Sequence, residues 1–167
     1  MGLSEDMEKI ALQERELHLP RLDAQTAWEL GTRIRSLAME RGLSLVADVR
    51  RFGQPLFYAA LDGTTPDNSE WARRKGNVVA RFHRSSYGVA MHMKSRGTTL
   101  AERQGLPVAD YAAGGGSFPL YVEGAGVVGS VTVSGLPERD DHNLVVEALC
   151  AVLGKSFAAL RLGPETA

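Results

Sequence analysis

A row of long polar side chains on one predicted helix is the first candidate for chemistry in the sequence. Arg74, Asn77, Arg81 and Arg84 follow one another at steps of three, four and three residues, which places them on one helical face. Several donors on one face suit a carboxylate or a phosphate, and arginine favours bidentate contact. A solvated helix face is the alternative interpretation, because charged residues usually lie on the surface.

Three successive glycines form the second candidate. Gly114, Gly115 and Gly116 offer consecutive backbone N–H groups, which can form an anion-binding nest, and glycine lets a ligand approach the backbone closely. No predicted helix follows them, so the alternative is a flexible connection into the next strand. Both interpretations stay open at this point.

The histidines show no spacing typical of a zinc site; they are His18, His83, His92 and His142. We therefore predict no metal site. His142 follows two aspartates in the first turn of the last predicted helix, where it suits either acid–base chemistry or a structural role. Met and His side chains around position 92 are of the kind that haem iron accepts, although such residues in a helix are more often core.

The stretch GAGVVG, residues 124–129, fits a dinucleotide-binding pattern only in isolation. That pattern requires a strand before it and a helix after it. Here apolar and polar residues alternate on both sides, which is the two-residue period of strands. We predict a β-hairpin with its turn at Glu123 to Gly126, and no nucleotide site.

The elements that must position these residues are helices interleaved with two hairpins. Because there is no βαβ alternation, we predict an α+β fold with an antiparallel sheet and helices packed on it. The predicted hairpins span 45–61 and 118–135. The predicted helices start at the caps Ser4, Asp23 and Asp67, at Ser85 and Leu100, and at Pro137, the last with a break at Gly154.

Composition restricts the class of protein. With 167 residues, 44% hydrophobic residues and a net charge of -1, the chain is expected to form one globular domain over residues 1–167. Near neutrality argues against bulk nucleic-acid binding. No apolar run reaches the ~20 residues of a membrane span, and the N-terminus is polar and acidic, so we expect a cytoplasmic protein without a membrane partner. Cys150 is the single cysteine and cannot form an internal disulfide.

Between residues 17 and 153 the chain resembles a known family. The most specific parts are Arg74-Lys75 with Arg81, the triple glycine followed by Phe118-Pro119, and Asp141-His142 after the glycines at 129 and 135. These parts resemble the HbpS/GlcG-like family, also called haem-degrading-domain proteins, and in particular its small stand-alone branch. The resemblance implies a profilin-like, five-stranded antiparallel sheet with flanking helices, and a homo-oligomer, either a dimer or a larger ring.

The resemblance also brings the candidate residues into one hypothesis. We expect a small-ligand-binding protein with a pocket for an anionic molecule, whose ligand-binding residues are Arg74, Lys75, Asn77, Arg81, Gly114, Gly115, Gly116 and His142. Relatives in the wider family bind haem or iron, so a haem-binding or haem-degrading protein with His83, His92 or His142 on the iron is an alternative. A structural or chaperone-adapter subunit is another. The residues themselves identify neither a cofactor nor a catalysed reaction.

Overall fold

The computed structural model of the chain describes residues 1–166. Seven helices and five strands follow one another along this part of the chain. In order they are α1 (Leu3–Glu16), β1 (His18–Leu19), α2 (Ala24–Glu40), β2 (Val46–Arg51), β3 (Gln54–Ala60), α3 (Pro66–Phe82), α4 (Ser86–Ser95), α5 (Leu100–Gln104), β4 (Ser117–Val122), β5 (Gly126–Ser134), α6 (Glu138–Leu153) and α7 (Phe157–Leu160).

The strands form one five-stranded, mostly antiparallel sheet in the order β1-β4-β5-β2-β3. Both predicted hairpins are present, as β2–β3 and β4–β5, and the antiparallel pairing of β2 with β5 joins them. The expectation of a wholly antiparallel sheet is wrong at one edge, because β1 pairs with β4 in parallel. A two-residue strand carries no periodicity from which its direction could be predicted.

The two faces of the sheet differ in polarity. Helices α2 and α6 cover an apolar face, whose buried residues include Val49, Val131 and Phe118. Helix α3 covers the other face, where Gly76 lies close to the hydroxyls of Ser130 and Thr132. The inner side of α3 therefore meets buried polar groups, which explains how a lysine on this helix can be buried.

Local capping signals fix most helix ends. Asp23 caps α2 as predicted and accepts a hydrogen bond from the Thr26 amide at 2.8 Å. The prediction that Asp67 caps α3 is wrong: the helix begins at Pro66, and the amide of Thr65 donates to Asn68 Oδ1 at 2.8 Å. Proline has no amide hydrogen and a helical φ, so it favours the first helical position.

The glycine-rich stretch at 124–129 is a hairpin turn and the start of β5, as predicted. Gly124 and Gly126 have φ values of 79° and 81°, which favour glycine. Gly129 lies within the sheet, where an added Cβ would be 2.0 Å from the carbonyl oxygen of Arg50. These glycines thus serve the hairpin. Within residues 1–166, no helix is both long enough and apolar enough to cross a bilayer.

Candidate functional site

The structure distributes the predicted site residues over three places. Lys75 and the triple glycine meet Asp141 on the inner side of α3. Arg74, Asn77 and Arg81 lie on the outer side, towards the loop 106–113. His142 lies in the interior against Gln13. These residues therefore do not line one pocket, and each group has its own role in the fold.

A buried ion pair joins α3 to α6. Lys75 Nζ lies 2.8 Å from Asp141 Oδ2, and the two side chains are 5% and 1% exposed. The Asp141 carboxylate also accepts from the backbone amide of Leu136 at 3.0 Å. Burial raises the pKa of Asp141 above its ordinary value, although the Lys75 ammonium acts in the opposite direction.

This ion pair borders a cavity of about 250 Å³, which we call the Lys75 pocket. It lies between the first turns of α3 and α6, and its walls include Asp67, Trp71, Lys75, Ser134, Glu138 and Asp141. Three carboxylates thus face one ammonium, and that ammonium is already paired. The Lys75 pocket is therefore electrostatically unsuited to an anion.

The triple glycine is buried against the first turn of α6. A Cβ on Gly115 would lie 1.8 Å from the carbonyl oxygen of Glu138, and Gly116 has a φ of 126°. On Gly116 a Cβ would be 3.0 Å from Lys75 Nζ. Glycine is needed here because the chain passes so close to α6 and to the ion pair. The glycines therefore position Asp141 beside Lys75 and present no open cradle.

His142 is fully buried and does not face the Lys75 pocket. Its Nε2 donates to Gln13 Oε1 at 2.8 Å, and its ring packs against Tyr87 and Phe118. Within residues 1–166, its Nδ1 has no hydrogen-bond partner. Burial, with a smaller contribution from Arg139, lowers the pKa of His142 to about 3. The imidazole is therefore neutral at physiological pH and is a core residue.

The outer side of α3 holds the loop 106–113 in place. Three successive loop carbonyls, at 108, 109 and 110, accept hydrogen bonds from Arg74 at 3.3 Å, Arg73 at 2.8 Å and Asn77 at 2.9 Å. Arg73 also pairs with the Asp110 carboxylate at 3.0 Å. Arg74 and Asn77 of the predicted face, together with the neighbouring Arg73, thus anchor this loop.

Arg81 differs from its neighbours on this face. It is exposed, and among residues 1–166 it has no hydrogen-bond or ion-pair partner. Its guanidinium carbon lies 6.0 Å from the centre of the Tyr111 ring. Of the arginines predicted to bind a ligand, Arg81 is therefore the one whose guanidinium makes no hydrogen bond within residues 1–166.

Tyr111 belongs to a second cavity, of about 360 Å³, which we call the Tyr111 cleft. It lies between α4, α5 and the loop 106–113, and its walls include Met93, Lys94, Leu100, Leu106, Val108 and Tyr111. No aspartate or glutamate of the described chain is among its lining residues. Sequence reasoning missed this cleft. The available signal was Leu100, which begins the five-residue helix α5, with Leu106 and Val108, which follow it.

The described residues do not fit haem iron. His18 stacks on Tyr121, and His83 stacks on Phe52 at the end of α3. His92 Nε2 accepts from Arg96 Nε at 3.1 Å. Neither the Tyr111 cleft nor the Lys75 pocket is lined by any of the described histidines. Within residues 1–166, no three His, Cys, Asp or Glu side chains are grouped to hold a metal ion.

The chain thus forms an α+β domain, in which helices cover both the apolar and the polar face of a five-stranded sheet. Solved structures of other proteins have the same fold. A structure of the Ybr137w protein shares the fold, with 25% identity and a TM-score of 0.83 over 92% of this chain and 94% of that one. A structure of HbpS is 23% identical, with a TM-score of 0.62 over 82% of this chain and 93% of that one. A structure of a PduOC:haem complex is 16% identical, with a TM-score of 0.68 over 78% of this chain and 94% of that one.

The family follows from the sequence comparisons. A family model described as "Haem degrading protein HbpS-like" matches residues 22–150. A UPF0303 protein of Burkholderia thailandensis is 60% identical over 97% of this chain and 98% of its own length. A UPF0303 protein of Paraburkholderia phymatum is 57% identical over the same shares. The chain belongs to the HbpS-like family, which confirms the resemblance seen in its sequence.

Proposed function

We propose that this chain is a homo-oligomeric small-ligand-binding protein that binds an anionic molecule in the Tyr111 cleft. The observation that supports the anion is the charge around this cleft. Lys94 is exposed in its wall, Arg81 lies beside Tyr111, and neither cation has a hydrogen-bond or ion-pair partner among residues 1–166. Unpaired cations at an apolar cleft favour a negatively charged ligand.

The anchoring of the loop 106–113 supports the same function. A ligand site needs walls that keep their position without the ligand, because ordering them on binding weakens affinity. Here Arg73, Arg74 and Asn77 hold three successive carbonyls of this loop. The outer side of α3 is thus proposed to serve the ligand in two ways: Arg73, Arg74 and Asn77 fix the wall, and Arg81 supplies charge.

The test is anion binding by wild type and by Arg81→Ala. Phosphate, succinate and benzoate serve as probes, and calorimetry and thermal shift measure binding. Because Arg81 is exposed and unpaired, Arg81→Ala should change the free energy of unfolding by no more than about 0.5 kcal/mol. Loss of a charge-assisted contact should weaken binding by roughly 2 kcal/mol, which is about thirtyfold.

Arg33→Ala is the matched control. Arg33 is an exposed arginine of α2, which covers the opposite face of the sheet. If Arg33→Ala and Arg81→Ala weaken anion binding equally, the effect is one of general charge and the proposal fails. It also fails if no anion stabilises the wild-type protein.

Haem is the second candidate, because the description of the family model names haem. The poor fit of the described histidines argues against iron ligation by His83, His92 or His142. A haemin titration decides between the two candidates. A Soret band that His92→Ala abolishes would favour haem, whereas an unchanged haemin spectrum leaves the anion proposal in place.

A further inference from the structure

We propose, building on the function proposed above, that the ligand of the Tyr111 cleft is an aliphatic monocarboxylate, with its hydrocarbon chain in the cleft and its carboxylate beside Lys94 and Arg81. Nothing in the family description or in the names of the relatives assigns a ligand of this class. Three features of the cleft favour such a ligand: its apolar interior, the positive charges at its edge, and its volume.

The inside of the cleft offers apolar contact. Met93, Leu100 and Leu106 line it and are part of a buried cluster that continues to Val78 and Val89. The cleft is therefore an opening onto a secondary hydrophobic core. A hydrocarbon chain bound here is removed from water against the same kind of surface that packs in the interior.

The two threonine hydroxyls of the cleft already donate their protons. Thr99 Oγ1 donates to Glu102 Oε2 at 3.0 Å, and Thr98 Oγ1 donates to the same oxygen at 3.3 Å. A sugar or another heavily hydroxylated molecule would need many polar partners, and the cleft offers few: besides these threonines, its polar lining side chains are Lys94 and Tyr111. Burying hydroxyls without partners is costly. An unsubstituted chain avoids that cost.

The charges at the edge select a carboxylate over an amine. Lys94 and Arg81 contribute two positive charges. Of the acids nearby, Asp110 pairs with Arg73, and Glu102 keeps its charge because its donors are neutral threonines, so positive charge predominates at this edge. A volume of about 360 Å³ is near the lower end of small-molecule sites, roughly 300–1,000 Å³, which suits a single chain.

The experiment is a calorimetric chain-length series of butyrate, hexanoate and octanoate, below micelle-forming concentrations, with octylamine and octanol as matched ligands. Each added methylene should tighten binding by roughly fourfold, and octylamine should bind at least about tenfold more weakly than octanoate. Lys94→Gln should weaken octanoate about tenfold and leave octanol nearly unchanged, since it removes the charge and keeps an unbranched polar side chain at an exposed position.

Val108→Asp tests the location. Val108 is 69% exposed at the cleft, so a charged residue there should not unfold the chain. It should weaken both octanoate and octanol through lost apolar contact, and octanoate more strongly because the new carboxylate also repels it. If Val108→Asp leaves the affinity for octanoate unchanged, the ligand binds elsewhere and the inference is overturned. An Arg81-dependent response to phosphate or succinate without any effect of chain length would overturn this inference and leave the proposed function intact. No response to any anion would overturn both.

Discussion

Replacing Lys75 should lower the free energy of unfolding far more than replacing an exposed charged residue of a helix does. In the native structure its ammonium lies 2.8 Å from Asp141 Oδ2, and the two side chains are 5% and 1% exposed. Lys75→Ala leaves a buried carboxylate without its cation, and breaking a buried pair in this way typically costs about 3–5 kcal/mol. Total stabilities are about 5–15 kcal/mol, so urea unfolding at neutral pH should show a large shift of the midpoint.

A double variant separates the charge from the shape of the site. Asp141→Asn keeps an oxygen that can accept from the Leu136 amide, and Lys75→Met keeps an unbranched apolar stem. Together they remove both charges, so the double variant should lose less stability than the sum of the two single changes. We expect a coupling energy of up to about 3 kcal/mol, as is typical of residues in direct contact.

The pH dependence gives the sharpest test of this reasoning. Without Lys75, only the backbone amides of Gly135 and Leu136 still oppose the effect of burial, so the pKa of the Asp141 carboxyl rises further above that in the unfolded chain. A raised carboxyl pKa destabilises the native state above that pKa, and this loss disappears as the pH falls through it. The penalty of Lys75→Ala should therefore shrink in acid. Two results would refute this reasoning. One is a loss of unfolding free energy for Lys75→Ala that lies within about 0.5 kcal/mol of the loss for the exposed Arg33→Ala. The other is a loss for Lys75→Ala that is the same in acid as at neutral pH.

Two further predictions concern the core and the surface. The pKa of about 3 for buried His142 means that the unfolded chain takes up a proton near about pH 6.5 that the native chain does not. As the pH falls from about 7 to about 5, this proton uptake should lower the free energy of unfolding by roughly 2 kcal/mol. In urea unfolding, the free energy of unfolding of His142→Gln should therefore vary less with pH than that of the wild type. Equal pH dependence in the two proteins would contradict this. Trp28 is 60% exposed and packs edge-on against Phe57 of the edge strand β3, so Trp28→Lys should weaken self-association in sedimentation; a monomeric wild type would refute it.

Elements with a strong local signal could be predicted from the sequence. Helix α2 carries its cap, its apolar period and its terminal glycine in one continuous stretch, and the structure has it at Ala24–Glu40. The hairpin at 124–129 was predictable because its two strands are adjacent in the chain and alternate in polarity. In both cases the residues that specify the element are neighbours in sequence.

The sites could not be predicted in the same way, because their contacts are non-local. The polar contact of His142 is Gln13, which is 129 residues away in the chain. The Tyr111 cleft depends on a loop without periodicity, whose position is fixed by hydrogen bonds to α3. Neither the burial of the histidine nor the course of the loop follows from the composition of the local stretch.

The grouping of Lys75 with Arg74 and Arg81 came from the resemblance, and helix geometry argues against it. Successive residues are about 100° apart around a helix, so Lys75 points roughly 120° away from Arg81, and it belongs with the side that faces the sheet. The structure agrees, because Lys75 reaches Asp141 while Arg81 lies beside Tyr111.

The residues that carry the family resemblance most strongly are therefore largely buried ones. Gly115 and Gly116 let the chain pass close to α6, which brings Asp141 to Lys75, and His142 packs in the interior behind it. Such residues specify how helices α3 and α6 meet the sheet, and they say little about a ligand. The Tyr111 cleft has a buried apolar floor, and its edge is formed by exposed side chains outside that group, such as Lys94 and Val108. In this chain, the residues that would select the proposed ligand therefore lie outside the buried framework, so a change of ligand would not require a change of that framework.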